Sequence, residues 1–175
     1  MKQLASPILI ILISLFCTAC STQTSSELYE LEDKLIPLLD EGKFSEAQET
    51  VKEMEKLMDS YHSQFKFSPD DGMLSVVHHK LHTAKGRLEM KEGNIEKAKE
   101  HLLESGKVSG APTLNSFGPN MSLAKALLEH KESEVVLTYF ELCGKFWQDQ
   151  FDKTDKWEAA IAKGGMPDFG PNLVY

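Results

Sequence analysis

Apolar residues recur at every third or fourth position along most of this chain, and that spacing leaves little besides helix for it to fold into. Leu28, Leu31, Leu35 and Leu38 form one such run, broken by Glu41-Gly42-Lys43. Ala47, Val51, Met54, Leu57 (or Met58), Tyr61 and Phe65 resume it on a second helix. Ser45 and Gln48 have the spacing of a capping box, which starts that helix at about Ser45, and Pro37 marks a candidate kink in the first. The run Ser68-Pro69-Asp70-Asp71-Gly72 closes the pair. A second pair places Leu74, Val77, Leu81, Ala84 and Leu88 on one narrow stripe, turns at Glu92-Gly93-Asn94, and returns through Ile95, Ala98 and Leu102 with Asn94 as cap. Ser105 to Asn120, rich in Gly, Pro and Ser, predicts a long ordered loop. A third pair covers Met121 to Glu129 and Glu134 to Phe151, followed by a short helix at about Thr154 to Lys163 and a Gly/Pro-rich tail ending at Tyr175. No segment alternates with period two, so the expected class is all-α: about three stacked antiparallel helical hairpins, a short C-terminal helix and an irregular tail.

The first twenty residues, MKQLASPILIILISLFCTAC, follow a different rule. Lys2 supplies a positive n-region, and Ile8 to Phe16 supply an apolar stretch interrupted only by Ser14, too short for a comfortable membrane span. Thr18, Ala19 and Cys20 resemble a bacterial lipobox, although Cys17 stands where that pattern has leucine. The resemblance implies a signal peptide over 1–19, lipidation of Cys20, a polar tether over 20–27 and a domain over 28–175. Several acyl chains, at about 0.8 kcal/mol per buried methylene, anchor a protein stably. Ser21 after the cysteine implies sorting to the outer membrane, facing the periplasm. An ordinary secreted protein cut near Ala19 is the simpler alternative.

Removing residues 1–19 leaves 156 of the 175 residues, enough for one core. It also removes Lys2, so 18 basic side chains face 27 acidic ones and the net charge moves from −8 to −9. An acidic domain whose only arginine is Arg87 argues against nucleic acid as a partner. Cys143 is the one cysteine left. Its aliphatic and aromatic neighbours predict a buried, unreactive thiol.

The turns at Gly42, Gly93 and Lys131 share a pattern. Each has a small or apolar residue five positions later (Ala47, Ala98, Val136), a large one four further (Val51, Leu102, Phe140), and another three beyond (Met54, Ser105, Cys143). Leu123, Ala124 and Leu127 occupy matching first-helix positions of the third unit, and Gly86 falls at a close-packing position of the second. This resembles the tetratricopeptide repeat, with turn spacings of 51 and 38 residues in place of about 34. Lys131 replaces a turn glycine, and Lys85 a leucine. Residues from about Val77 to Tyr175 are also similar to a widespread group of uncharacterised bacterial TPR-like proteins. The similarity rests on the run Glu92 to Gly106, on Leu114-Asn115-Ser116-Phe117-Gly118-Pro119-Asn120-Met121, on Tyr139 to Cys143 with Phe146-Trp147, and on Pro167-Asp168-Phe169-Gly170. That likeness implies a fold and no known activity.

Repeat positions transferred with Gly86 as register put Lys80, Thr83, Arg87 and Lys125 on a concave groove, with Tyr29, Glu32 and Ile36 in the first unit. If the apolar stripe sets the register, the face moves back one residue and brings in His79 and His82. A basic strip of this kind suits an anionic or carboxylate-ended peptide; a plain solvated helix face is the alternative. In the run His78-His79-Lys80-Leu81-His82, His78 and His82 lie one turn apart and are candidate metal ligands, with His62 or His101 able to approach, while the stripe leaves His79 nearly opposite the core. The phrase Phe-Gly-Pro-Asn occurs at 117–120 and 169–172, where Asn120 is a cap, Gly118 an unusual backbone angle, Phe117 an anchor and the second copy a docked extended segment. Tyr139, Phe140, Phe146, Trp147, Phe151 and Trp157 read as core around Cys143. With no hydrolase, zincin, Walker or Rossmann signature, no catalysis and no cofactor are expected. The function expected is a lipid-anchored envelope adaptor binding a protein or peptide, the alternative being a metal- or small-ligand-binding lipoprotein using His78, His79 and His82.

Overall fold

The computed structural model describes residues 26–64, 72–148 and 152–174, without the side chains of 62–64 and 73. The leader, Cys20 and most of its tether, the turn at 65–71 with Phe65, the His62 side chain, Phe151 and Tyr175 lie outside the described residues. The described chain is all-α: α1 (26–40), α2 (Phe44–Gln64), α3 (Gly72–Glu92), α4 (Ile95–Ser105), α5 (Pro112–Phe117), α6 (Ser122–Glu129), α7 (Ser133–Cys143) and α8 (Lys153–Ala162), then a 3₁₀ turn at Gly170–Leu173. Among the described residues there is no strand and no helix long and apolar enough to cross a membrane.

The three hairpin turns are built alike. Gly42, Gly93 and Lys131 have φ of +74°, +80° and +67°. Each donates its N–H to the carbonyl three residues back, and the next residue donates to the carbonyl five back, as in Lys43 to Leu38 at 2.9 Å, Asn94 to Glu89 at 2.9 Å and Glu132 to Leu127 at 3.0 Å. This is the Schellman arrangement, which satisfies the last carbonyls of a helix and reverses the chain. Lys131 adopts the left-handed conformation that glycine takes at the other two turns.

All nine repeat-spaced positions of the return helices are buried, from Ala47, Val51 and Met54 through Ala98, Leu102 and Ser105 to Val136, Phe140 and Cys143. They divide between two cores. One gathers α1 (Leu28, Leu35, Ile36, Leu39), α2 and the apolar stripe of α3. The other gathers α4 to α8 and the tail around Tyr139, Phe140, Trp147, Trp157 and Phe169. Helix α3 stands between them, packing against α2, α4 and α6. Its second face carries Ser75, His79, Thr83 and Gly86, all buried. A Cβ added at Gly86 would lie 2.2 Å from Leu123 Cδ2 and 3.2 Å from His101 Cβ, so glycine there lets α3 approach α4 and α6.

Several local expectations are corrected. Helix α2 begins at Phe44, and Lys43 accepts the Ala47 N–H, which puts Ser45 inside the first turn rather than at a capping box. Asn94 stands at the cap of α4, but its amide donates to Glu89 Oε2 at 2.7 Å rather than capping the helix. The expected loop from Ser105 to Asn120 contains α5, started by Pro112, whose fixed φ suits a first helical position. Helix α7 ends at Cys143 rather than Phe151, because the chain then turns to bury Phe146 and Trp147.

Candidate functional site

A cleft of about 750 Å³ lies between α1, α3 and the α5 segment, within the usual range for ligand sites of roughly 300–1,000 Å³. Tyr29, Glu32 and Asp33 line it from α1, Val76, His79 and Lys80 from α3, and Ala111 to Leu114, Phe117 and Gly118 from the opposite wall. That opposite wall belongs to a run of 17 uncharged residues between Lys107 and Lys125. Tyr29 and Phe117, 47 % and 61 % exposed, present their rings at the cleft. Single exposed apolar residues are ordinary, whereas contiguous apolar surface marks interaction sites.

The sequence-derived groove is only partly here. Lys80 lines the cleft but forms an ion pair with buried Glu32. Burial pushes the Glu32 carboxyl above its ordinary value, the bond to Lys80 opposes this, and the Asp33 charge adds to it. Arg87 pairs with Asp40 at 2.7 Å and reaches Ser122. Thr83 is fully buried and donates to the His79 carbonyl at 2.9 Å. Lys125 lies on α6, away from the cleft, and Ile36 belongs to the core. The expected basic strip is therefore corrected: α1 packs across α3, and its carboxylates consume the lysine and arginine as interhelical ties. Asp33, Val76 and residues 111–114 were not anticipated, although the uncharged run was visible in the sequence.

The histidines are engaged in hydrogen bonds. His79 does face away from the apolar stripe, but that face is also buried, against α4 and α6. Its Nδ1 donates to the Ser105 carbonyl and its Nε2 accepts the Asn120 N–H, both at 2.9 Å. Burial drives its pKa down to about 4, so the ring is a neutral brace whose two nitrogens are both committed. His78 and His82 do lie together, ring centres 4.4 Å apart. They take different partners: His78 Nε2 donates to the Glu104 carbonyl at 3.3 Å, and His82 Nδ1 lies 3.1 Å from His101 Nδ1. Burial, and then the neighbouring His78 and His101, push His82 down to about 3. Among the described residues, no group of three His, Cys, Asp or Glu side chains is placed to hold a metal ion.

The two Phe-Gly-Pro-Asn copies hold the α5 wall by binding each other. Asn172 is fully buried, and its amide donates to the Phe117 and Pro119 carbonyls at 3.1 and 3.0 Å. Its own carbonyl accepts the Met121 N–H at 2.7 Å. Asn120 returns the contact through Leu173 and also accepts the Ser122 N–H at the start of α6. Gly118 has φ +90°, and a Cβ there would lie 2.5 Å from the Trp147 ring. The second copy thus docks as a 3₁₀ turn rather than an extended segment, and Phe117, expected as an anchor, is 61 % exposed while Asn172 and Trp147 pack against Gly118. Cys143 is buried beside Tyr139, and burial pushes its thiol well above the ordinary range. Compared with known protein families, with curated proteins and with solved structures, the chain matches none.

Proposed function

We propose that this chain is a lipid-anchored adaptor of the cell envelope, held at the membrane through Cys20, which takes a segment of another protein into the α1–α3–α5 cleft and performs no chemistry of its own. The cleft carries this reading: it is large, mostly apolar, and lined by two exposed aromatic rings. Aromatic anchors of this kind dominate the energetics of protein interfaces. The repeat-spaced burial in all three return helices supports the tetratricopeptide likeness, in which stacked hairpins create a concave binding face. The lipobox-like Thr18-Ala19-Cys20 with Ser21 supports an outer-membrane anchor facing the periplasm. The described part of α1 reaches back to residue 26, six residues after Cys20, which supports a cleft wall held near the membrane. Confinement there raises the effective concentration of membrane partners and lets each contact be weak. The acidic balance supports the exclusion of nucleic acid.

Photocrosslinking amino acids at positions 29 and 117, with position 52 on the exposed face of α2 as control, test the reading in cells. Discrete adducts from the cleft positions alone are expected. Identical adducts from all three positions, or none from the cleft, overturn the cleft as the binding face. Fatty-acid label that survives Cys20→Ala overturns the anchor.

A further inference from the structure

We infer that the segment bound in the cleft is a short apolar peptide stretch carrying a lysine or arginine, its apolar side chains against the α5 wall and its cation seated between Tyr29 and Asp33 of α1. This rests on the adaptor reading and adds the chemistry of the partner.

The two walls differ in kind. The α5 side offers Ala111, Pro112, Leu114 and Phe117 with no charge. The α1 side offers two carboxylates against one ammonium: Glu32 is buried and spent on Lys80, which leaves exposed Asp33 to set the net charge of the lining at −1. Tyr29 and Asp33 are four residues apart, one turn along the same face of α1. A ring and a carboxylate so placed suit a long cationic side chain, the ring receiving its stem or guanidinium and the carboxylate its charge. The domain's acidic balance adds a long-range attraction for the same sign of partner. A fatty acid or anionic phospholipid would instead bring a second negative charge against Asp33 and Glu32. An acidic peptide meets the same repulsion.

Calorimetric titration of the purified full chain with three acetylated and amidated peptides tests this. They share one apolar sequence, Leu-Phe-Xaa-Leu-Phe, with Lys, Gln or Glu at the centre. The Lys peptide is expected to bind best and the Glu peptide worst, about fivefold apart, as befits an exposed charge contact. Asp33→Lys is expected to reverse that order, and Thr113→Trp, which fills the cleft from an exposed position, to weaken all three. If Thr113→Trp abolishes binding while Asp33→Lys leaves the order unchanged, the cleft stands and the cationic partner is overturned. Binding that Thr113→Trp leaves untouched, or no binding of any peptide, overturns the cleft reading itself. Dodecanoate displacing the Lys peptide, or a dimer in sedimentation that Thr113→Trp dissolves, assigns the cleft to a lipid or a second copy and overturns the proposal.

Discussion

His79 ties three parts of the molecule through one neutral ring, and that dependence makes a quantitative prediction about acid. In the unfolded chain the imidazole titrates at about 6.5; in the folded protein burial holds it down to about 4. Between those values the unfolded state binds the extra proton, so the stabilisation is complete above pH 6.5 and is lost as pH falls toward 4. At about 1.4 kcal/mol per pH unit, acidification from pH 7.5 to 4.5 removes about 2.5 kcal/mol through this one group. His79→Gln keeps a donor and an acceptor near the Ser105 carbonyl and the Asn120 N–H but does not titrate. Poorer geometry at two buried bonds is expected to cost about 1–3 kcal/mol at pH 7.5. Urea titrations of both proteins, followed by fluorescence of Trp147 and Trp157 in the second core, supply the stabilities. The gap between wild type and variant should narrow by about 2.5 kcal/mol on going to pH 4.5, with carboxylates and distant groups cancelling in the difference. A gap that stays constant across this range refutes the neutral-brace account.

Lys131→Gly should raise stability by about 1 kcal/mol, since φ is +67° there and a side chain is disfavoured in that region; a melting temperature that falls would contradict the shared-turn geometry. Gly86→Ala should destabilise by about 1–3 kcal/mol despite the better helix propensity, because the new methyl overlaps fully buried Leu123; thermal melts give the sign directly. Asn172→Ala should cost about 2–3 kcal/mol by stranding the Phe117 and Pro119 carbonyls. It should also weaken peptide binding, since those carbonyls position the cleft wall; calorimetry showing wild-type affinity would separate the tail from the cleft.

The helices and their turns were legible because they depend on short-range geometry. Gly42 and Gly93 announce left-handed turns, and the stripes running from Leu28 to Leu38, from Ala47 onward and from Leu74 to Leu88 announce the faces that turn toward the core. Lys131 was identified as a turn residue by spacing although its type disagreed, and the backbone there follows the spacing. The helix inside 105–120 was less legible, since Pro112 starts a helix only where neighbouring walls favour one.

The candidate site was mostly hidden. Lys80 and Arg87 read as a basic strip because a one-dimensional pattern does not show which carboxylates a neighbouring helix brings. Packing of α1 over α3 supplies Glu32 and Asp40 and neutralises both. The second buried face of α3 carries Ser75, His79, Thr83 and Gly86 at helical spacing. Gly86 alone announces it, as a close-packing position, because small and polar residues give no hydrophobic signal when their burial rests on hydrogen bonds and close backbone approach. The repeated Phe-Gly-Pro-Asn was visible twice, but its reciprocal docking joins residues more than 50 positions apart. By itself the sequence determined an all-α class and the positions of its turns, both set by local periodicity and backbone preference. Only the tertiary structure decided which charges are spent between helices and which walls enclose a cleft, because both depend on how distant segments meet.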